Sequence, residues 1–265
     1  MPVAHPFDQT LEHFRSRGFV RVPQSFSAGE AAAMRAAIWN ELAKAGIREA
    51  NPATWTQERP QHLQDLKSDP VFGAAWGPRT MAMVAEIAEG ETWPPPRRWG
   101  AFFLAFPGKA HWNVPSSGWH TDANYTSALS PPAGIRLHAL MGDVAPHSGG
   151  TLFIAGSHTL IHRWFKANPP PPGARGADHR KSLLGHPYIR DLHAEGDTAE
   201  RIARFIDRAE THDGVELQVV ENVGQAGDVL LAHPLLFHVA TPNVGNAPRF
   251  LLSGAMDHAS MWATV

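Results

Sequence analysis

The sequence contains no cysteine, and this absence excludes disulfide bonds, thiolate metal sites and a cysteine nucleophile. The formal net charge is only −2, so there is no electrostatic case for nucleic acid or an anionic membrane as a partner. No apolar run approaches the roughly 18 residues of a membrane span, and MPVAHPFDQT lacks the regions of a signal peptide. The chain also has no Gly-x-Ser-x-Gly elbow and no Walker loop. From these features we expect a cytoplasmic protein.

The first part of the chain is predicted to be helical. One helix should end at Gly18. The pair Ser27 and Glu30 has the spacing of a capping box and precedes an Ala-rich helix that Gly46 would end. Residues 1–98 are therefore expected to form a mainly helical N-terminal layer.

From about residue 99 the sequence changes to short apolar or alternating segments bounded by Gly, Pro or Asn, a pattern typical of strands. No regular helices separate these segments as a parallel α/β sheet requires, so a jelly roll or barrel is favoured. Residues 165–213 interrupt the pattern with FKANPPPPGARGADHRK, which cannot be a central strand. We expect one domain over residues 1–265, mainly β with N-terminal helices, whose core spans residues 99–256.

The stretch GWHTDANY places His120 and Asp122 two residues apart. On a strand, residues two apart point to the same face, so an imidazole and a carboxylate would converge on one point. Two of the three protein ligands of a 2-His-1-carboxylate iron site have this arrangement. The spacing alone proves little, because with 16 His and 25 acidic residues chance predicts about as many His-x-acid triplets as occur. The other triplet, His193-Ala-Glu195, has no apolar strand around it and is not favoured as a metal site.

A third ligand is expected from GDVLLAHPLLFHVATPNVGNAPRF, which contains His233 and His238. These histidines are five residues apart, so on one continuous strand they face opposite sides and only one can point at the metal. His238 stands 11 residues before Arg249. On a neighbouring antiparallel strand, the Arg249 guanidinium could clamp a carboxylate in the same cavity. The alternative for Arg249 is a solvent-facing position on an edge strand.

His120-x-Asp122, GGTLFIAGSH, GDVLLAHPLLFH and an arginine 11 residues further on together resemble the phytanoyl-CoA dioxygenase family of Fe(II)/2-oxoglutarate oxygenases. The N-terminal helix, GFVRVP and AGEAAAMRAAI are also similar to that family. The resemblance therefore covers most of the chain, except residues 47–98 and 165–213. It implies a double-stranded β-helix core, which is jelly-roll or cupin-like.

The resemblance also implies the cofactors and the chemistry. His120, Asp122 and His238 match the iron ligands, and Arg249 matches the arginine that binds the far carboxylate of 2-oxoglutarate. The expected cosubstrates are 2-oxoglutarate and O₂. The expected reaction is hydroxylation of a C–H bond in a small-molecule substrate, with release of succinate and CO₂.

Two positions depart from the family pattern. His138 stands 18 residues after His120, where relatives often have a tryptophan that lines the cosubstrate pocket. Many relatives have a serine or threonine two residues after the distal histidine, whereas this chain has Ala240 followed by Thr241. Thr241 would contact the cosubstrate only if the strand contains a bulge.

Other side chains near the motifs have a structural alternative. Trp112, Trp119 and Tyr125 flank the candidate metal site, and at least one is expected to line the substrate pocket, although core packing also explains them. His158 lies in a Gly-Ser-His turn similar to that of the family and is expected to be structural. His233 is expected to be a packed residue.

Three other functions remain open. An iron halogenase of this fold usually has Gly or Ala instead of the metal carboxylate, so Asp122 argues against it. A cupin-like hydrolase or isomerase would use another divalent metal and need no carboxylate clamp. A non-catalytic jelly-roll binding protein could keep the fold with a decayed site.

Residues 165–213 are expected to form a lid over the metal that governs substrate choice. The segment RIARFIDRA can place Ile202, Phe205 and Ile206 on one apolar helical face. That face would exclude water from the reaction. The alternative is a disordered surface excursion.

Overall fold

The computed structural model of the protein describes residues 9–57, 59–60, 63–91, 93, 96, 98–123, 129–169, 171 and 176–257. The α-helices are α1 (Leu11–Arg17), α2 (Ala28–Lys44), α3 (Pro78–Ile87), α4 (Ser157–Ala167), α5 (Gly176–Leu183), α6 (Pro187–Leu192) and α7 (Thr198–Phe205). Three 3₁₀ helices span Pro52–Thr54, Gln64–Ser68 and Pro70–Trp76. The strands are β1 (Phe19–Val22), β2 (Ala101–Ala105), β3 (Gly134–Leu140), β4 (Thr151–Ala155), β5 (Glu210–His212), β6 (Val215–Glu221), β7 (Val229–Ala232), β8 (His238–Ala240) and β9 (Arg249–Asp257). Over these residues, no helix has the length and apolar character needed to cross a membrane.

The N-terminal helices begin and end where local chemistry dictates. Gly18 follows α1 in the left-handed conformation, with φ of 86°. The capping box at the start of α2 is formed, because the Glu30 amide donates to Ser27 Oγ and the Ser27 amide donates to Glu30 Oε2. α2 ends at Lys44, two residues before Gly46.

Two antiparallel sheets form the β-rich, cupin-like core that was expected. The larger sheet has the order β1-β7-β3-β9-β2, and the smaller one has the order β5-β6-β4-β8. β1 comes from the N-terminal layer and pairs with β7, with Phe19 opposite Ala232. That layer therefore supplies an edge strand as well as helices. The single domain over residues 1–265 remains our proposal.

The side chains of each strand alternate between two environments, and this alternation defines an inner and an outer face. On β3, Ile135 and Leu137 pack in one apolar cluster with residues of α2 and α3. Their neighbour His138 points to the opposite, inner face. There its ring centroid lies 5.2 Å from that of Phe153 on β4 of the smaller sheet. The inner faces of the two sheets thus enclose the space around His138.

The helices of residues 165–213 cover the outer face of the smaller sheet. Their buried apolar residues share one cluster with outward residues of β4, β6 and β8: Phe165, Leu183, Tyr188, Ile189, Leu192 and Phe205 pack with Leu152, Ile154, Leu217, Val219 and Val239. Ile202 and Ile206 pack against the same cluster. This position differs from the expected lid over the metal, because the apolar helical faces are buried behind the sheet that carries His238.

The segment around His120 also differs from the expectation. It forms an isolated bridge between His120 and His238 rather than a regular strand. Asp122 already lies in a bend. Since no strand ladder continues past His120, other contacts must hold Asp122 in place.

Candidate metal centre

Main-chain hydrogen bonds bring the histidine and aspartate side chains of the predicted metal site together. The His120 amide donates to the His238 carbonyl at 3.0 Å, and the His238 amide donates back to the His120 carbonyl at 2.9 Å. The Asp122 amide then donates to the Pro234 carbonyl at 3.1 Å. The turn after β7 therefore places Asp122 beside the two histidines.

The three side chains converge on one point. Asp122 Oδ1 lies 3.8 Å from His120 Nε2, and Asp122 Oδ2 lies 3.7 Å from His238 Nε2. One potential ligand atom from each residue lies within 4.8 Å of the others. In the described part of the chain, these three residues form the candidate metal-binding cluster. His238 is buried, whereas the His120 side chain is 49% exposed. The cluster is thus enclosed by protein on the side of His238 and open to solvent on the side of His120.

Backbone carbonyls orient both imidazole rings. His120 Nδ1 lies 2.9 Å from the Gly118 carbonyl oxygen, and His238 Nδ1 lies 3.0 Å from that of Leu236. Each Nδ1 therefore carries the proton and donates, which leaves the Nε2 lone pair facing the cluster. Burial lowers the pKa of His238 below its ordinary value, with the charge of Asp122 acting in the opposite direction. Two neutral imidazole nitrogens and one carboxylate oxygen are the donor set of a divalent transition-metal site, so the residues fit Fe(II).

A positively charged cavity lies beside β8. Arg249 lines a cavity of about 320 Å³ with Arg59, Lys67 and Ala240, and no acidic side chain lines it among the residues described. Arg249 is buried, and its Nε has no hydrogen-bond partner within the described part of the chain. Burial, together with the charge of Arg59, lowers the pKa of Arg249 to about 10, while Glu221 opposes this shift. The cavity therefore has the positive charge that a carboxylate ligand requires, and the arginine that lines it keeps one donor without a partner among the described residues.

His138 lies on the inner face, where the charges of both Asp122 and Arg249 act on its ring. Its ring centroid is 6.1 Å from that of His238. Burial is the main cause that lowers its pKa to about 3, and nearby charge on His238 adds to the effect. The ring is therefore neutral, and its Nδ1 has no hydrogen-bond partner among the residues that the structure describes.

The structure gives Thr241 a different role from the one considered for it. Thr241 is fully buried, and its hydroxyl donates to the Gly150 carbonyl at 2.7 Å. β8 contains no bulge between His238 and Ala240, which pair in register with β4. This contact satisfies a backbone carbonyl, and it argues against an assignment of Thr241 to the cosubstrate.

The aromatic residues that flank the site are explained by packing where the structure describes them. Trp119 is buried, donates from Nε1 to the Pro115 carbonyl at 2.7 Å and stacks on Phe237. Trp112 is buried and stacks on His147 with ring centroids 3.9 Å apart. Tyr125 lies outside the described residues.

Three other histidines, His158, His233 and His193, are not part of the cluster found among the described residues. His158 is buried beside the N-terminal helix, and its Nε2 lies 3.1 Å from the Arg15 carbonyl. His233 is also buried, and its Nδ1 accepts from the Leu235 amide at 3.0 Å. His193 has its Nδ1 2.8 Å from the Ile189 carbonyl. Each contact fits the structural role that was expected for His158 and His233.

Sequence reasoning missed one residue at the site, Arg136. Its Nη2 donates to the Asp122 carbonyl at 2.9 Å, and its Nε lies 3.6 Å from Asp122 Oδ2. Nη1 forms an ion pair with Asp257 at the end of β9. The available signal was a single cation inside the apolar strand GIRLHAL, two residues from His138 and so on the same face.

Comparisons with known proteins agree with this fold. The sequence profile of the phytanoyl-CoA dioxygenase family matches residues 14–251. Among curated protein sequences, none matches the chain significantly.

Several solved structures share the fold at low sequence identity. The non-heme α-ketoglutarate-dependent carbocyclase SnoK from nogalamycin biosynthesis is 16% identical, with a TM-score of 0.55 over 94% of this chain and 82% of SnoK. The epimerase SnoN, solved with Fe³⁺, α-ketoglutarate and nogalamycin RO, is 19% identical, with a TM-score of 0.55 and the same coverage. HygX from Streptomyces hygroscopicus, solved with nickel and 2-oxoglutarate, is 18% identical, with a TM-score of 0.53 over 97% of this chain and 90% of HygX. Because the family profile matches most of its length, the chain belongs to the phytanoyl-CoA dioxygenase family.

Proposed function

We propose that the protein is a non-haem Fe(II)/2-oxoglutarate-dependent dioxygenase that hydroxylates a C–H bond of a small molecule. The substrate, 2-oxoglutarate and O₂ would yield the hydroxylated product, succinate and CO₂. The observation that carries the proposal is the convergence of His120, Asp122 and His238 on one point, in the same β-rich core as a buried arginine, Arg249, whose Nε has no partner among the described residues. Relatives of this fold were solved with Fe³⁺ or nickel and 2-oxoglutarate, which supports the same ligands here.

The side chains of this protein would hold and orient these ligands. His120 and His238 would bind the metal through Nε2 and Asp122 through its carboxylate, so three protein ligands leave further positions of the metal open. Bound Fe(II) supplies the redox chemistry that couples decarboxylation of 2-oxoglutarate to oxidation of the C–H bond. The open side at His120 is where a substrate could reach the centre.

Arg249 would bind the far carboxylate of 2-oxoglutarate. A guanidinium matches a carboxylate in two parallel hydrogen bonds, and burial strengthens such a contact because water does not screen it. Arg59 and Lys67 add positive charge to the same cavity. His138 remains neutral beside His238 and therefore adds no competing positive charge near the metal.

The first test separates the metal site from the fold. Wild-type protein is titrated anaerobically with Fe(II) and then with 2-oxoglutarate, and His238→Ala is compared with the matched control His233→Ala. We expect His238→Ala to lose tight Fe(II) binding and His233→Ala to retain it. Loss of iron in the His233 variant alone would contradict the ligand assignment. Wild-type protein that binds a metal but no 2-oxoglutarate would favour a cupin-like hydrolase or isomerase.

The second test concerns the reaction. After addition of O₂ and a panel of small apolar and amino-acid-like compounds, succinate is measured together with the product mass. A product that is heavier by one oxygen atom supports hydroxylation. Succinate release with an unchanged mass, or with loss of two hydrogens, would instead indicate an epimerase- or cyclase-like outcome. Metal and 2-oxoglutarate binding without any turnover would favour a binding protein.

A further inference from the structure

Asp122 is the least supported of the three proposed ligands. His120 and His238 are fixed by a pair of main-chain hydrogen bonds to each other, but Asp122 lies in a bend beyond that bridge. On one side its amide is held by the Pro234 carbonyl. Its carbonyl and its carboxylate must be held by a side chain.

Arg136 supplies that support from the inner face of β3. Its Nη2 donates to the Asp122 carbonyl at 2.9 Å, and its Nε approaches Asp122 Oδ2 at 3.6 Å. Nη1 is anchored by the Asp257 carboxylate and lies 3.3 Å from the Ile135 carbonyl. Only 8% of the side chain is exposed, so the planar fork is locked in one orientation.

We propose that Arg136 is a positioning residue that sets the metal affinity of the centre by holding the main chain and carboxylate of Asp122. This inference rests on the proposed metal site. A positive charge so close to a ligand would by itself repel a metal cation. Asp257 offsets that charge, so we expect the geometric contribution of Arg136 to exceed its repulsion.

The positioning of Asp122 and the repulsion of the metal by the charge of Arg136 predict opposite changes in metal affinity, which makes the proposal testable. Arg136→Met keeps an apolar side chain of similar reach but removes the fork and the charge. If positioning dominates, Co(II) affinity falls by about 10- to 100-fold, as is typical when a partner of a metal ligand is lost. If repulsion dominates, Co(II) affinity rises or stays the same, and the proposal is overturned.

Further variants separate a site effect from a general loss of stability. Arg21→Met is the matched control, because Arg21 is also a buried arginine of the larger sheet and pairs with Asp228 at 2.8 Å. It should lower the thermal unfolding midpoint without changing Co(II) affinity. Arg136→Lys keeps the repelling charge but not the fork, so it should weaken Co(II) binding at least as much as Arg136→Met does. Should Arg136→Met not fold, wild-type Co(II) affinity in a folded Arg136→Lys variant overturns the proposal.

Two readouts that do not depend on turnover decide the outcome. Co(II) affinity is measured by calorimetry on the apo protein, and the visible d–d absorption of bound Co(II) reports its coordination geometry. We expect Arg136→Met to change both and Arg21→Met to change neither. Wild-type protein that binds no Co(II), with His238→Ala indistinguishable from it, would refute the metal site itself. Wild-type binding with an unaltered Arg136→Met variant refutes only the role of Arg136.

Discussion

Replacement of Arg249 by methionine should separate stability from cosubstrate binding. Arg249 is 4% exposed, and its pKa falls from the ordinary value to about 10, mainly because of burial. A fall of this size means that the folded state holds the charge at a cost of roughly 3 kcal/mol relative to the unfolded state. At neutral pH arginine is charged in both states, so Arg249→Met removes this cost while it fills much of the same space. We therefore expect the free energy of unfolding of the apo protein to be unchanged or higher.

The same substitution should strongly weaken binding of 2-oxoglutarate. Loss of one partner of a buried charge pair costs about 2–5 kcal/mol, which corresponds to a Kd between about 30-fold and several thousand-fold higher. The assay is calorimetric titration of 2-oxoglutarate into anaerobic Co(II)-loaded protein, with urea unfolding of the apo protein in parallel. Arg249→Lys serves as a control that keeps the charge but loses the two parallel hydrogen bonds.

Two results would refute this reasoning. An unchanged Kd for 2-oxoglutarate in Arg249→Met would remove Arg249 from the cosubstrate site. A clear loss of apo stability would show that Arg249 is already paired in the ligand-free protein and that its burial carries no net cost.

Three further predictions concern the surroundings of the site. Arg59→Gln should raise the Kd for 2-oxoglutarate by a factor of about two to five, because an exposed charge contributes at most about 1 kcal/mol; calorimetry at low salt that shows no rise, or a rise well above fivefold, would contradict it. Burial raises the pKa of Glu221 to about 7, so its ionisation destabilises the folded state, and stability should fall as the pH rises from about 4.5 through 7. Glu221→Gln should flatten the dependence of the thermal midpoint on pH over that window, and parallel curves would refute the assignment. Phe205→Ala should cost about 3–5 kcal/mol of stability in urea unfolding, whereas a mobile lid would change turnover and leave stability intact.

The sequence alone determined the features that depend on near neighbours. The capping box of Ser27 and Glu30 and the helix end at Gly18 formed as predicted, because each needs only residues within one turn. The Gly- and Pro-bounded apolar segments predicted the strands of the β-rich core in the same way. The structure places His238 and not His233 in the metal cluster, as expected. The expectation that both histidines lie on one continuous strand does not hold, because a turn separates them.

Other features depended on contacts between residues far apart in the chain. Nothing near Thr241 in the sequence shows that its hydroxyl donates to the Gly150 carbonyl. The apolar face of RIARFIDRA was recognised, but the surface that it covers was not, because amphipathicity says which side is buried and not against what. Arg59 likewise reaches the Arg249 cavity from a segment of the chain with no recognisable motif.

At the metal centre, too, the local sequence determined some features and contacts between distant residues determined others. Spacing placed His120 and Asp122 on one face of a presumed strand, and the tertiary structure brings them together although no strand exists there. A bridge to His238, a turn at Pro234 and the fork of Arg136 supply what the strand would have supplied. Residue types and spacing determined which groups could bind a metal, since that depends on their chemistry. Their convergence was decided only by the fold, because each is held by partners from 14 to more than 100 residues away.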